Sequence, residues 1–140
     1  QHVRIGAFVL MPEHVHLLVL PAQGEPVVAS RLLYAIKRPA SFRIRRLLTE
    51  TGDSRAAEMV VRTRPGTSRF RFWQEGGGYD RNIQSQDAFQ SSIRYIHDNP
   101  VKRGLCREPG DWPWSSWRQW HEPDVPVEEW IPQVDRYCFG

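Results

Sequence analysis

The sequence predicts an α+β sandwich of the split β-α-β-β-α-β kind, a sheet carrying helices on one face. Three observations predict it. Two short apolar runs near the start are divided by Met11-Pro12-Glu13. Two longer stretches repeat apolar residues near helical spacing, and a short alternating aromatic run lies between them. The readable order is strand, strand, helix, strand, helix, so the opening strand and helix of the pattern are expected to be lacking in this chain.

Ile5 to Met11 is an apolar run with β-branched members, enough for one strand. Pro12 ends it, because proline brings no N–H to a ladder. His14 to Leu20 is a second strand, and the tight turn makes the pair an antiparallel hairpin. Pro21 to Pro26 is a loop. Val27 to Thr49 reads as helix, with Leu32, Leu33, Ile36, Ile44, Leu47 and Leu48 as its buried stripe. Pro39 inside it is expected to kink or split it. Thr51 to Ser68 is polar, with Pro65-Gly66 as a turn. Phe70 to Trp73 is a short strand, ended by Gly76-Gly77-Gly78. Ser85 or Asp87 caps a second helix running to about Asn99, its buried stripe formed by Ala88, Phe89, Ile93 and Ile96. Pro100 is expected to stop it, since the residue before a proline avoids helical angles. The rest is an irregular, aromatic-rich C-terminal tail. The domain expectation is a core over 1–105 with a tail, 106–140, packed on it.

With 140 residues, 40% of them hydrophobic, the chain suits one domain with a real core. No stretch approaches the apolar length of a membrane span, and no secretory leader is visible at the start. Cys106 and Cys138 make no disulfide framework; they read as free thiols of a cytosolic protein. The net charge of +3 hides an asymmetry. From Arg31 to Arg71 there are eleven Lys/Arg against three acids; from Arg107 to Gly140 there are three against seven. A basic middle points to a polyanion partner, although a solvated helix face would look the same.

His14 and His16 are two apart on a strand, so both leave the same face, while Val15 and Leu17 point the other way into apolar surroundings. Two imidazoles on one face chelate a divalent cation if a third ligand arrives from elsewhere. The spacing alone is a weak signal. Tyr95 and Asn99 lie four apart on the second helix and share a face. Asn99 offers an amide oxygen to complete such a site, which puts Tyr95 beside the metal. Tyrosine is a poor nucleophile at neutral pH; a nearby cation favours its phenolate. A phosphodiester is a suitable electrophile, because a metal neutralises charge developing on it.

Three segments carry a resemblance. Phe8-Val9-Leu10-Met11-Pro12-Glu13-His14-Val15-His16-Leu17-Leu18-Val19 resembles the HUH strand of single-tyrosine transposases. Arg94-Tyr95-Ile96-His97-Asp98-Asn99-Pro100-Val101-Lys102-Arg103-Gly104-Leu105 resembles the segment holding their nucleophile. Trp112-Pro113-Trp114-Ser115-Ser116-Trp117, with Tyr79-Asp80-Arg81, is similar to motifs of the REP-associated tyrosine transposase branch. The segments fall in order and span most of Phe8 to Trp117. The resemblance implies a ferredoxin-like fold and a divalent ion, Mg or Mn, held by His14, His16 and Asn99. It implies Tyr95 as nucleophile and single-stranded DNA beside a hairpin as substrate. The family carries a strand and helix ahead of the HUH hairpin that this chain lacks, so either an N-terminal truncation, or another segment or subunit filling the sheet edge, is expected. The expected location is the cytoplasm, at the nucleoid.

Phosphate contacts are expected from Lys37, Arg38, Arg43, Arg45 and Arg46, and from Arg81, Lys102 and Arg103 in the matched segments. Trp73 is available either to stack on a base or to pack in the core. No P-loop pattern is present, and neither Glu13 nor His97 is assigned as a general base. A homodimer, with each tyrosine helix on its own or its neighbour's histidines, stays open. So do a hairpin-binding module without cleavage, a replication or conjugation initiator, and a hydrolase using metal-activated water. A single tyrosine on the helix and a short chain count against the initiator.

Overall fold

A computed structural model describes residues 2–22 and 26–136; part of the Pro21–Pro26 loop and Cys138 lie outside the described residues. In chain order the elements are β1 (Val3–Leu10), β2 (Val15–Pro21), α1 (Ala29–Glu50), α2 (Arg55–Glu58), β3 (Val60–Arg64), β4 (Thr67–Phe70), α3 (Gln86–Lys102), a 3-10 turn at Pro109–Asp111, and α4 (Trp117–His121). The class is α+β. The strands form two separate antiparallel pairs, β1 with β2 and β3 with β4. The chain divides into two units: Val28–Asp80, and His2–Val27 together with Arg81–Gly140.

In the second unit, β1 and β2 form the expected hairpin. The turn closes with the Met11 amide donating to the His14 carbonyl at 2.8 Å. The register pairs Val9 with His16 and Ala7 with Leu18, with a shift between Ile5 and Ala7 at Gly6. Cross-strand partners share a face. Ala7, Val9 and Met11 of the first strand and its turn therefore lie on one side with Leu18 and Leu20 of β2. Helix α3 covers that side with Phe89, Ile93 and Ile96, and these residues together are the core. Ser85 caps α3, its side chain accepting from the Ala88 amide.

Pro100 does not stop α3. It is buried inside the helix, which runs on to Lys102. In the last turn a missing N–H removes one ladder bond only, and burial of the ring favours the placement. The end is made instead at Gly104, at φ 68°. Leu105 N–H donates to the Pro100 carbonyl and Gly104 N–H to the Val101 carbonyl, a Schellman closure.

The tail covers the free edge of β1. Leu10 N–H donates to Trp114, Ser116 N–H to Phe8 and Asp135 N–H to Ile5, at 2.7–3.0 Å. The indoles of Trp112 and Trp120 donate to the Leu10 and Gly6 carbonyls, each at 2.9 Å. An edge that would otherwise offer unpaired backbone groups is thereby occupied.

In the first unit, α1 runs unbroken through Pro39, so the expected split is absent. Of its expected buried stripe only Leu48 is buried; Ile36 and Leu47 are exposed, and Leu32, Leu33 and Ile44 are half-buried. The polar stretch after it holds α2 and a hairpin, β3–β4, which turns at Pro65-Gly66 with Gly66 at φ 75°. The expected strand at Phe70–Trp73 is displaced: β4 ends at Phe70. No helix among the described residues is long and apolar enough to cross a membrane.

Candidate active site

His16 sits on β2 directly across from Val9, so it lies on the face that α3 covers. His14, just before the strand, follows the same period. This corrects one expectation: Val15 faces away from the core and is exposed. The histidines continue the Leu18–Leu20 stripe to its end, where α3 presents Tyr95 and Asn99.

The three polar groups converge. His14 Nε2 and His16 Nε2 are 3.1 Å apart, with the rings edge to face at 4.7 Å between centroids. Asn99 Nδ2 is 3.1 Å from the same His16 Nε2. Asn99 is only 6% exposed. The Tyr95 ring lies 5.3 Å from that of His16 and is 50% exposed, open to solvent. Burial, and secondly the neighbouring His14, push the His16 pKa below its ordinary value. His16 is therefore biased toward neutral imidazole, the metal-binding form.

Whether these residues suit a cation is a question of spacing and donor type. Two ligands in adjacent octahedral positions about 2.1 Å from a metal are about 3.0 Å apart. The observed nitrogen separations match. Half a turn of the Asn99 amide would present its oxygen, giving two imidazoles and one carbonyl, a donor set compatible with Mn or Mg. Among the described residues no group of three His, Cys, Asp or Glu forms a metal cage; the set here depends on the amide.

A cation borders the tyrosine, and a second is engaged nearby in sequence. Lys102 Nζ lies 5.0 Å from the Tyr95 ring centroid. Arg103 is paired with Glu13, whose carboxylate also lies 3.6 Å from His14 Nδ1. Glu13 thus ties the end of α3 to the turn that carries His14. His97 faces elsewhere, as its position on the helix implies. It is buried, with Nε2 2.9 Å from Ser116 Oγ. Its pKa is pushed down to about 4 by burial and secondly by His121.

Arg81 is exposed where the chain re-enters the same unit. Lys37, Arg38, Arg43, Arg45 and Arg46 belong to the other unit, on α1. Helical geometry spreads them around the axis; Arg38 and Arg45, seven apart, share a face. Arg46 is paired with Glu50 and Arg38 bonds Tyr34. What sequence reasoning missed is the clasp through Glu13 and the lock through Ser116. Both pair residues distant in sequence, and neither leaves a local pattern.

Comparison with known proteins extends the motif resemblance over nearly the whole chain. A Haemophilus influenzae protein carried under the provisional name REP-associated tyrosine transposase is 24% identical over 134 residues, 96% of this chain and 70% of its own length. The REP-associated tyrosine transposase of Escherichia coli is 23% identical over 136 residues, 97% of this chain and 67% of its own. The chain is thus similar, at low identity, to two proteins that carry the name REP-associated tyrosine transposase. No protein-family profile matches it, and no solved structure does.

Proposed function

We propose that this chain cleaves and rejoins single-stranded DNA beside hairpins, with Tyr95 as the nucleophile and His14, His16 and Asn99 as ligands of a divalent cation. The observation that carries the reading is the meeting of His14, His16 and Asn99 nitrogens at 3.1 Å beside a half-exposed Tyr95. The names of its relatives agree with it. Bound there, Mg or Mn would polarise the scissile phosphate.

Tyr95 Oη forms a bond to phosphorus as the bond from phosphorus to the 3′ oxygen breaks. The tyrosine's proton goes to solvent, which reaches the exposed ring, and the departing oxygen takes one up as a 3′-OH. The product is a 5′-phosphotyrosine that keeps the ester, so no nucleotide cofactor is consumed. A second 3′-OH reverses the step on a new strand and frees Tyr95, covalent catalysis in two stages. Lys102, beside the Tyr95 ring, would meet phosphate oxygens, and Arg103 would do so on leaving Glu13. A ferredoxin-like arrangement belongs to the same proposal, supported by two antiparallel strands under one helix.

The test is a labelled single strand carrying its own hairpin and flank, incubated with Mn or Mg and examined for an SDS-resistant adduct. The wild type is expected to form one; Tyr95→Phe and His14→Ala are expected to lose it. Tight gel-shift binding with no adduct in any lane would overturn the nuclease and leave a hairpin-binding module. Cleavage that survives Tyr95→Phe would point to activated water instead.

A further inference from the structure

In the unit spanning Val28–Asp80, a hollow of about 480 Å³ is lined by Leu33, Tyr34, Lys37, Arg38, Ser41 and Trp73, among others. Two aromatic rings border it, each with its own cation. The Trp73 indole N–H donates to the Lys37 carbonyl at 3.0 Å, and Phe72 meets the ring edge to face at 5.0 Å. These contacts fix the indole. Lys37 Nζ lies 5.9 Å from the Trp73 centroid and donates to the Gly76 carbonyl at 3.0 Å, which draws the glycine loop over one end. Arg38 lies 5.6 Å over the Tyr34 ring and donates to its hydroxyl at 2.7 Å. Tyr34 is nevertheless 63% exposed. Both cations keep spare N–H donors, since an ammonium has three and a guanidinium five.

A flat π-system joined to an anion is what such a hollow recognises. The rings offer stacking faces, the cations offer charge, and the volume falls in the range of small-ligand sites. An apolar peptide would satisfy the rings and leave the charges unanswered. Paired bases expose only their edges, so the base must be unpaired. The surrounding stretch, eleven Lys/Arg against three acids between Arg31 and Arg71, favours a polyanion.

We propose that this hollow holds one unpaired nucleotide of single-stranded DNA, with its base against Trp73 and Tyr34 and its phosphate on Lys37 and Arg38. The choice of DNA rests on the function proposed above.

The test uses the full chain and a labelled short oligothymidine without a hairpin, titrated over a salt series. Trp73→Ala is expected to weaken binding about 5- to 100-fold, as for one lost stacked base, with little change in salt slope. Arg38→Gln is expected to lower the slope of log K against log salt by about 0.7, one phosphate on a single strand. Because Trp73 also braces the helix, Tyr34→Ala, at an exposed ring, serves as a second variant, expected to cost several-fold with the circular dichroism spectrum unchanged. Wild-type affinity in both Trp73→Ala and Tyr34→Ala would overturn the proposal, as would tighter binding of an oligouridine RNA of equal length. Oligothymidine binding that depends on Trp73, in a protein that forms no Tyr95 adduct, would sink the nuclease and support this site. An intact adduct with both ring variants binding normally would sink this site alone.

Discussion

Ser116 is fully buried between β1 and α3, and replacing it with alanine should unfasten the tail. Its hydroxyl takes the Phe8 amide at 2.9 Å, meets His97 Nε2 at 2.9 Å and reaches the Phe8 carbonyl at 3.2 Å. That carbonyl keeps a second donor, the Ser116 amide at 3.0 Å, so its loss is small. The Phe8 N–H and the His97 nitrogen lose their partner inside the protein, and His97 Nδ1 already has none. An orphaned buried polar group costs about 1–3 kcal/mol, so Ser116→Ala, which leaves two, is expected to cost about 2–6 kcal/mol. Adding His97→Leu removes one of the two orphans, and the double variant should recover about 1–2 kcal/mol of the sum of the single losses. Urea unfolding followed by tryptophan fluorescence suits the question, because five of the six tryptophans lie between Trp112 and Trp130. A loss below about 0.5 kcal/mol, or strict additivity with His97→Leu, would refute the reasoning.

Three further outcomes are expected. Mn added to the protein without DNA should raise its stability, by about 2.7 kcal/mol at roughly 100-fold its Kd; a thermal shift that persists in His14→Ala would place the ion elsewhere. Arg103→Ala breaks an exposed ion pair with Glu13 and should cost under about 1 kcal/mol in a urea titration; a cost above about 2 kcal/mol would mean that Glu13 and Arg103 anchor the hairpin to α3. Gly104→Ala forces a side chain onto φ 68° and should destabilise by about 1 kcal/mol, whereas a gain in stability would show that helix propensity outweighs the closure.

Elements whose pattern comes from burial were legible in the sequence. The β1–β2 hairpin and the stripe Phe89, Ile93, Ile96 could be read because their side chains meet in one core. The β3–β4 hairpin was not read as strands, for the opposite reason. Its first strand, Val60–Arg64, has no buried residue, so no apolar alternation marks it; only its Pro65-Gly66 turn was visible. Helix α1 misled in the other direction. Its apolar spacing is real, yet only Leu48 is buried, since spacing shows that a face exists and not that something covers it. Pro100 shows a local preference yielding to tertiary context, because a proline in the last turn forfeits one hydrogen bond and gains a buried ring.

The candidate site was legible as residues and misread as a face. In His14-Val15-His16-Leu17-Leu18-Val19-Leu20 both alternate sets are apolar beyond the histidines, so period alone cannot say which set is buried. The pairing of Ala7 with Leu18 and Val9 with His16 decides it. A slip of one residue in β2 would turn Leu18 and Leu20 out of the core and both histidines away from Tyr95 and Asn99 together. The stable core and the proposed site therefore depend on the same register. The core residues fix where the imidazoles point, and α3, anchored by Ile93 and Ile96 on that core, brings the tyrosine on the turn between them. A strand carrying H-x-H becomes informative when the helix that must cover its face also carries a tyrosine and a side-chain amide four residues apart.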